Sequence, residues 1–408
     1  MRTVIVIGGG ASGLMAALTA AKNKDNRVLV LERQQRPGRK LLATGNGRCN
    51  LTNTRCSIER YHGADAAFAR PALERFGPED TLAFFSSLGL LTVEEYGGRV
   101  YPLSDSANSV LDVLRFALAG TGVELHTACR VESVRRERGG FAVACENESF
   151  FADALIVACG GAAGGKLGGV TDGYEILKNL GHSRTKLYPA LTPLFTAPEY
   201  PRALKGVRAD AAVELRLGRE ILAASAGEVQ FTERGVSGPA VFDVSRAASV
   251  CGEGAWISFD FFRGREDGEL LAMLRARRDS LSALEAGELL CGMLHNRLGR
   301  MCVKYAGLSG AAPLRTLSDD ELLRVLKACR AFTLEVRGTA GFDGAQVTAG
   351  GISTAEFDPD TLQSRLVPGL FACGEVLDVD GDCGGFNLQW AWASGALAGE
   401  SACGEAES

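Results

Sequence analysis

The sequence predicts an α/β fold in which a domain with a parallel sheet is interrupted by an inserted domain of mixed strands and helices. Two patterns support this prediction. Within the first 32 residues an apolar strand, a glycine-rich turn, a helical stretch and a second apolar strand follow one another. Near residue 190 the pattern changes to alternating, half-exposed strands and then to a long helical stretch. With 46% hydrophobic and 23% charged residues, the 408-residue chain has enough apolar material for a sizeable core.

The N-terminal pattern is typical of a dinucleotide-binding unit. Residues 3–7 form a short β-branched strand, and residues 8–13 fit G-x-G-x-x-G. A helical stretch at 14–22 and a strand at 27–32 follow, and the second strand ends in Glu32. These parts arrive in the order and spacing of a Rossmann-type βαβ unit. The alternative is a glycine turn with a purely structural role.

Each residue of this motif has a physical reason. Gly8 permits the tight turn, Gly10 allows the backbone to approach a pyrophosphate, and Gly13 allows the helix and strand to pack closely. The helix N-terminus offers free N–H groups to the phosphates. Glu32 would accept hydrogen bonds from the adenosine ribose and disfavours NADP. The residues predicted to contact the cofactor here are Gly8, Gly10, Ala11, Ser12, Gly13 and Glu32.

Composition excludes several other classes of function. The net charge of -5 gives no basic field for nucleic acid or an anionic membrane. Twelve cysteines without a C-x-x-C pair, and four isolated histidines, indicate no zinc or iron–sulfur site, so we expect no metal. Scattered free cysteines favour the cytoplasm.

The N-terminus also resembles a secretory signal, but its four glycines in six positions argue against that, and no other apolar run is long enough for a membrane span.

A polar segment follows Glu32 and carries the family resemblance. Its five cations and three glycines suit an extended anionic cofactor, although a solvated loop is the alternative. The sequence LERQQRPGRKLLATGNGRCNLTN at 31–53 resembles the signature of the BaiN-like (YhiN-like) flavoproteins, a bacterial family that binds FAD. The resemblance continues through GGRVYPLSDSA at 97–107, TDGYEILKNLGH at 171–182, LYPALTPL at 187–194, GEVQFTERGVSGPAVFDVSR at 227–246, AQVTAGGI at 345–352 and VPGLFACGEVLDVDGDCGGFNLQWAWASGALAGE at 367–400. It covers nearly the whole chain.

The resemblance implies a Rossmann-like FAD-binding domain with a parallel sheet and an antiparallel β-meander. It places Val131 at the adenine and Glu375 at the ribityl chain or pyrophosphate. It also implies that the N-terminus of a helix at 387–398 faces the flavin N1 and C2 carbonyl, where this dipole stabilises the reduced anion. An ordinary glycine turn and core helix is the alternative. The further FAD contacts that we predict are Arg33, Arg39, Lys40, Thr44, Gly45, Asn46, Arg48, Cys49, Asn50, Gly160, Gly161, Asp172, Gly374, Gly384, Gly385, Phe386, Asn387 and Leu388.

The segment after the strand at 154–159 also contains a near match to a phosphate-binding P-loop. Gly160 to Lys166 fit its glycines and lysine, but Leu167 stands where a Ser or Thr must hold Mg²⁺. The ATPase interpretation is therefore rejected.

Element patterns predict the domain boundaries. The FAD-binding domain comprises 1–190 and 344–408, and an inserted substrate or cap domain spans 191–343. The insert is β-rich at 191–262 and 331–343 and helical at 263–330. Within the helical part, one helix is predicted at 282–301 and another runs from its cap, Ser318, to residue 330. Helices at 78–88 and 106–119 and short strands from 123 to 145 belong to the first domain. Such inserts usually shape the substrate pocket, because ligand sites favour domain interfaces.

These observations predict an FAD-dependent oxidoreductase acting on an unidentified small molecule. With one dinucleotide fingerprint in the chain, NAD(P)H would dock only transiently as the donor. The resemblance implies either reduction of a bile-acid-like carbon–carbon double bond or amine oxidation with O₂. A flavoprotein that modifies RNA or senses redox state is the alternative from another class. The flavin itself performs hydride transfer. The candidate catalytic residues are Arg48, Cys49, Asn50, Tyr101 and Tyr188.

Overall fold

The computed structural model describes residues 1–281 and 283–404. The chain forms two compact units. The first comprises Met1–Pro189 and the chain from Ala345 onward, and the second comprises Ala190–Gly344. Among the described residues, no helix combines the length and the apolar character needed to cross a bilayer.

The strands are named in chain order. Those before the second unit are β1 (Arg2–Ile7), β2 (Asn26–Leu31), β3 (Thr52–Asn53), β4 (Tyr61–His62), β5 (Thr92–Glu95), β6 (Arg99–Pro102), β7 (Glu124–His126), β8 (Val131–Glu137), β9 (Gly140–Cys145), β10 (Ser149–Ala152), β11 (Ala154–Val157) and β12 (Tyr188–Ala190). The later ones are β13 (Leu194–Thr196), β14 (Arg208–Leu217), β15 (Glu220–Phe231), β16 (Gly235–Ser237), β17 (Ala255–Asp260), β18 (Phe332–Thr339), β19 (Val347–Ala349), β20 (Leu370–Ala372) and β21 (Asp380–Gly381).

The α-helices follow the same convention. They are α1 (Ala11–Ala20), α2 (Arg70–Arg75), α3 (Pro78–Ser87), α4 (Ala107–Ala119), α5 (Asp172–Asn179), α6 (Glu199–Leu204), α7 (Pro239–Cys251), α8 (Asp267–Ser280), α9 (Asn296–Tyr305), α10 (Asp319–Arg330), α11 (Gly341–Gly344) and α12 (Phe386–Ala402).

A five-stranded parallel sheet with the order β20-β11-β1-β2-β7 forms the centre of the first unit. Strands β1, β2, β11 and β20 are largely buried, as their apolar runs predict, whereas the edge strand β7 is only half-buried. The strands predicted at 3–7, 27–32 and 154–159 are confirmed within one or two residues as β1, β2 and β11. Because all five strands are parallel, their carboxyl ends lie at one edge of the sheet.

Helices α1 and α12 pack against each other through glycine. A Cβ atom at Gly395 would overlap the carbonyl oxygen of Ser12, and one at Gly399 would overlap that of Ala16. From the first contact to the second, the residue numbers increase in both helices, so the two helices run parallel to each other. Helix α12 starts nine residues before Gly395, whereas α1 starts one residue before Ser12. At 1.5 Å per residue, the N-terminus of α12 therefore lies about 12 Å beyond that of α1.

Smaller sheets complete the first unit. The predicted antiparallel meander is confirmed as β10-β9-β8, whereas β7 joins the parallel sheet. Strands β3, β6 and β5 form a second antiparallel sheet, and β21 pairs with β4.

The second unit contains a closed barrel with the order β13-β16-β15-β14-β17-β18. Its core is apolar and aromatic, with buried Val213, Phe231, Phe259 and Phe332. The predicted capping box at Ser318 is confirmed, because the Ser318 hydroxyl accepts from the Glu321 N–H and the Glu321 carboxylate accepts from the Ser318 N–H.

One predicted helix in this unit is wrong. Residues 283–295 form no α-helix, and α9 begins only at Asn296, while Ser282 lies outside the described residues. The N–H groups of Ala286 and Gly287 donate to the carbonyls of Ala312 and Gly310 instead of to a helical turn. Gly292 then adopts a left-handed φ of +79°. Glycine at positions 287 and 292 lowers the conformational cost of the non-helical backbone there.

Candidate cofactor site

The turn between β1 and α1 has no room for side chains at two of its glycines. Gly8 has φ +109°, and a Cβ there would lie 2.5 Å from the carbonyl oxygen of Ala158. A Cβ at Gly13 would overlap the carbonyl oxygen of Gly8. The turn and close packing predicted for these positions are therefore present.

Gly10 differs from its neighbours because it faces open space. No described atom lies within 4 Å of a Cβ built at Gly10. The first hydrogen bond of α1 runs from the Leu14 N–H to the Gly10 carbonyl, so the N–H groups of Ala11, Ser12 and Gly13 precede it. An anion that approaches Gly10 would meet these N–H groups and the positive end of the helix dipole.

Glu32 lies beside this turn and is held by the backbone. One carboxylate oxygen accepts from the Gly9 N–H and the other from the Gln34 N–H, both at 2.7 Å. Glu32 is buried, so its carboxylate is fixed in position. The lone pairs that remain on these oxygens suit hydroxyl donors such as those of a ribose.

Val131, predicted at the adenine, and Asp172, predicted as a further FAD contact, are linked to Glu32 through the segment 128–131. The Cys129 N–H donates to the Glu32 carbonyl oxygen, and Val131 begins β8 two residues later. Asp172 begins α5 and accepts from Arg130 at 3.1 Å. The segment 128–131 therefore connects Val131 and Asp172 with the end of β2.

A lysine–glutamate pair joins segments that are far apart in sequence. Lys40 donates to Glu375 at 2.7 Å, and the other oxygen of Glu375 accepts from the Thr348 N–H at 2.8 Å. A Cβ at Gly161 would lie 2.6 Å from that second oxygen, so only glycine allows this approach. Gly160, with φ +71°, has no described atom within 4 Å of its Cβ position.

Gly374 and two arginines border this pair. Gly374 has φ +75°, and its Cβ position lies 2.5 Å from the Ser12 hydroxyl at the start of α1. Arg33 donates to the Gly168 carbonyl at 3.4 Å, and Arg39 donates to Gln34 at 3.2 Å. The loops after β1, β2, β11 and β20 thus meet at one edge of the sheet, as parallel strands require.

The segment predicted to run along the cofactor is an irregular 3-10 turn, Leu41–Gly47. Thr44 is extended at its centre, and its hydroxyl donates to the Leu41 carbonyl. Gly45 and Asn46 follow in the left-handed region with φ of +57° and +58°. Cys49 is left-handed as well, with φ +62°. Left-handed non-glycine residues are uncommon and cluster at functional sites.

Arg48 is held on three sides. Its guanidinium pairs with Asp105, donates to Glu95 at 2.5 Å, and lies 4.1 Å from the centre of the Tyr101 ring. These two carboxylates raise the pKa of Arg48. Its hydrogen bonds fix the segment 44–50 against β5 and β6.

Cys49 and Tyr101 are both protonated at neutral pH. Burial raises the pKa of the Cys49 thiol to about 12, and burial also raises the pKa of Tyr101. A protonated thiol is a poor nucleophile. The geometry therefore favours hydrogen bonding and packing for Cys49, whereas the Tyr101 hydroxyl remains a potential proton donor. Tyr188 lies in β12, which pairs with β19, and the Lys186 ammonium lies 5.0 Å from its ring centre.

Two glycines bring the chain to the N-terminus of α12. Gly384 and Gly385 have φ of +144° and +102°, and a Cβ at Gly385 would lie 2.5 Å from the Thr52 carbonyl oxygen. The Gln389 N–H bonds to the Gly385 carbonyl, so the N–H groups of residues 386–388 precede the first helical hydrogen bond.

The predicted residues of this helix end have different environments. Asn387 closes the preceding loop, because its side chain accepts from the Gly381 N–H and donates to the Gly381 carbonyl. Phe386 is buried and Leu388 is partly buried. The Asn50 side-chain oxygen is buried, has no hydrogen-bond partner among the described residues, and lies 2.9 Å from the Gly385 Cβ position.

Several residues that fix this helix end were missed by the sequence analysis. Asn53 donates to the Gly384 carbonyl at 2.8 Å, and the Trp392 indole donates to the Leu51 carbonyl at 2.9 Å. Gln389 accepts from the hydroxyls of Thr52 and Thr81. One available signal was Gln389 itself, a polar residue flanked by the apolar Leu388 and Trp390.

These features fit an extended flavin dinucleotide. The open space at Gly10 and the N–H groups that precede the first hydrogen bond of α1 suit a diphosphate. The fixed Glu32 carboxylate suits a ribose. The Asn50 oxygen, without a partner among the described residues, and the N-terminus of α12 suit the edge of a polar ring. The individual contacts to FAD stay predictions.

Comparisons with known proteins agree with this interpretation. The family profile named HI0933-like protein Rossmann domain matches residues 2–401. The chain belongs to this family. The HI0933-like chain is 40% identical to the 3-dehydro-bile acid delta(4,6)-reductase of Clostridium scindens, over 98% of this chain and 99% of the relative. It is 30% identical to the ribosomal RNA dihydrouridine synthase of Escherichia coli K12, over 96% of this chain and 95% of the relative.

A solved structure shares the fold. A variant of Escherichia coli quinol fumarate reductase FrdA superposes on the HI0933-like chain with a TM-score of 0.50 and 18% sequence identity, covering 99% of this chain and 70% of that one. The predicted Rossmann-type α/β fold and family resemblance are therefore confirmed. Both of these relatives, from Clostridium scindens and Escherichia coli K12, carry the names of enzymes, a reductase and a synthase.

Proposed function

We propose that the protein reduces a carbon–carbon double bond conjugated to a carbonyl group in a small, bile-acid-like molecule, with NADH or NADPH as the electron donor. The observation that carries the proposal is the 40% identity, over nearly the full length of both chains, to a protein named as a bile-acid delta(4,6)-reductase. Bound FAD would supply the hydride-transfer chemistry.

The chain's own residues would bind and orient the reactants. The α1 N-terminus and Glu32 would hold the dinucleotide end, and the N–H groups at α12 would hold a ring edge on which negative charge develops. Tyr101, kept protonated by burial, would be a proton donor for the substrate carbon. Arg48 would keep Tyr101 and the segment 44–50 in place.

A second candidate is reduction of uridine in ribosomal RNA. It is favoured by the 30% identity to the ribosomal RNA dihydrouridine synthase of Escherichia coli. The double bond of uracil is also conjugated to a carbonyl, so both candidates need the same chemistry with different binding surfaces. The net charge of -5 argues for the small substrate.

Anaerobic stopped-flow spectroscopy tests both candidates. FAD-loaded protein is first mixed with NADH or NADPH, and loss of the visible flavin absorbance identifies the donor. The reduced protein is then mixed with a dienone steroid, with unmodified ribosomal RNA, or with the fully saturated steroid as the matched control. Reoxidation by the dienone alone supports the proposal, and reoxidation by RNA alone supports the second candidate. Reduction only by amines, with peroxide release in air, would identify an amine oxidase and overturn both.

A further inference from the structure

Arg99 is a cationic residue at the cofactor site that the sequence analysis did not single out. It is the first residue of β6, and the sheet register places it between Asn53 of β3 and Glu95 of β5. Its Nε lies 3.7 Å from the Cβ position of Gly384, and the Asn53 amide nitrogen lies 3.4 Å from the same point. The Arg99 side chain therefore reaches the loop that begins α12.

The surroundings of Arg99 contrast with those of Arg48. Glu95 lies directly opposite Arg99 in the sheet, but its carboxylate accepts from Arg48. Asp105, the next acid nearby, also pairs with Arg48. Within residues 1–281 and 283–404, no carboxylate lies within ion-pair distance of Arg99. Arg99 is half-buried, so its guanidinium is partly removed from water without a compensating anion.

An unpaired, partly desolvated guanidinium has a cost that a bound anion would offset. Arg99 shares its location with the N–H groups of residues 386–388, which precede the first hydrogen bond of α12, and with the buried Asn50 oxygen, which has no hydrogen-bond partner among the described residues. Together they offer donors, positive charge and one acceptor to the edge of a polar ring. A carbonyl oxygen that gains negative charge matches the donors, because charge-assisted hydrogen bonds are about twice as strong as neutral ones.

We propose that Arg99 stabilises the oxyanion that develops on a carbonyl oxygen of a conjugated ring at the N-terminus of α12. This inference rests on the proposed function, because in that reaction conjugated carbonyls are present on both the flavin and the substrate. The chemistry is the same for both: electrons delocalise onto the oxygen, and the guanidinium stays protonated and binds the resulting charge.

The test uses FAD-loaded Arg99→Gln and Arg99→Lys, with Arg115→Gln as the matched control. Arg115 is an exposed arginine on α4 that pairs with Asp112. The flavin content and unfolding temperature of each variant are measured first. Two measurements then need no turnover: the affinity for sulfite, which forms an anionic flavin adduct, and the two-electron reduction potential. A third measures the rate at which the reduced protein is reoxidised by the dienone.

If the oxyanion belongs to the flavin, Arg99→Gln weakens sulfite binding at least tenfold and lowers the potential by about 30 mV for each tenfold change in the redox equilibrium. If it belongs to the substrate, sulfite binding and potential stay at the wild-type values while reoxidation slows at least tenfold. In both cases the affected values return most of the way to those of the wild type in Arg99→Lys, because lysine keeps the positive charge.

Wild-type values for Arg99→Gln in all three measurements would overturn the inference. It is also overturned if Arg99→Lys is as defective as Arg99→Gln in flavin content and unfolding temperature, since Arg99 would then have only a structural role. Should no enone reoxidise the wild-type protein while sulfite binding depends on Arg99, the proposed function fails and the inference stands.

Discussion

The two ends of the cofactor site are built in different ways. The end at α1 consists of Gly8, Gly10, Gly13 and Glu32, which lie within 25 consecutive positions of the sequence. The end at α12 combines the segments 48–53, 95–105 and 381–389, which only tertiary packing brings together. The first end is therefore specified by local sequence, whereas the second depends on hydrogen bonds between distant residues.

The strongest test of this contrast compares two glycines at the α1 end. Gly13→Ala places a methyl group against the Gly8 carbonyl, and we expect a loss of about 3 kcal/mol in the free energy of unfolding. Gly10→Ala meets open space, and Gly10 has an extended backbone with φ -81°. It should keep the fold and lose FAD. Urea unfolding and flavin content of the two variants provide the measurement. Equal flavin loss and equal destabilisation in both variants would contradict the assignment of Gly10 to the pyrophosphate.

This end of the site was predictable because its physical requirements are local. A strand, a turn without Cβ atoms, a helix and an acid can all be recognised from residue type and spacing. Asn53 and Gln389 could not be recognised in this way. Their partners, Gly384 and Thr52, lie more than 300 residues away, and no pattern in one sequence joins such positions.

A smaller effect is expected at the α12 end from Asn53→Ala. This variant removes the donor to the Gly384 carbonyl at 2.8 Å and the donor to the Gly97 carbonyl at 3.2 Å. Because Asn53 is buried, the free energy of unfolding should fall by about 1–3 kcal/mol. Affinity for FAD should fall as well, since Gly384 leads into α12. Ser87→Ala, which removes an exposed hydroxyl hydrogen bond on α3, serves as the control for a surface change. An unchanged FAD affinity in Asn53→Ala would separate this hydrogen bond from the cofactor site.

The smallest expected effect is a pH dependence of stability, and it arises outside both ends of the cofactor site. The fully buried His182 imidazole bonds to Glu356 and to the Ser364 hydroxyl, both at 3.0 Å. Burial lowers the pKa of His182, and this exceeds the opposing effect of Glu356. The contribution of His182 to stability is therefore complete above the unfolded-state pKa of about 6.5 and is lost as the pH falls below it.

This pH dependence can be measured from the urea midpoint at about pH 8 and about pH 5.5. The midpoint should fall more on acidification in the wild type than in His182→Gln, which cannot take up the proton. A parallel fall in both proteins would assign the acid sensitivity to other groups. If FAD release follows the unfolding transition, the pH effect acts through the fold and not through either end of the site.

In the second unit the sequence predicted the strands but not their closure. The alternation in β14, β15 and β17 indicates which face of each strand is buried. It cannot indicate that β13 and β18 pair and close a barrel, because this pairing joins residues about 140 positions apart. The wrong part of the predicted helix, residues 283–295, has a similar cause, since its Leu and Glu residues favour a helix while the backbone N–H groups of Ala286 and Gly287 donate to Ala312 and Gly310.

The direct contact between α1 and α12 also bears on which flavin the protein can accept. Gly395 and Gly399 place the two helix backbones against each other, so the offset of about 12 Å between the helix N-termini is set by rigid main-chain contact and not by adaptable side chains. A ligand must carry anionic or polar groups at both positions to use both helices. A mononucleotide such as FMN lacks the adenosine half and would leave Glu32 without a ribose. We therefore expect the spacing of the two helix N-termini to favour dinucleotides over shorter flavins.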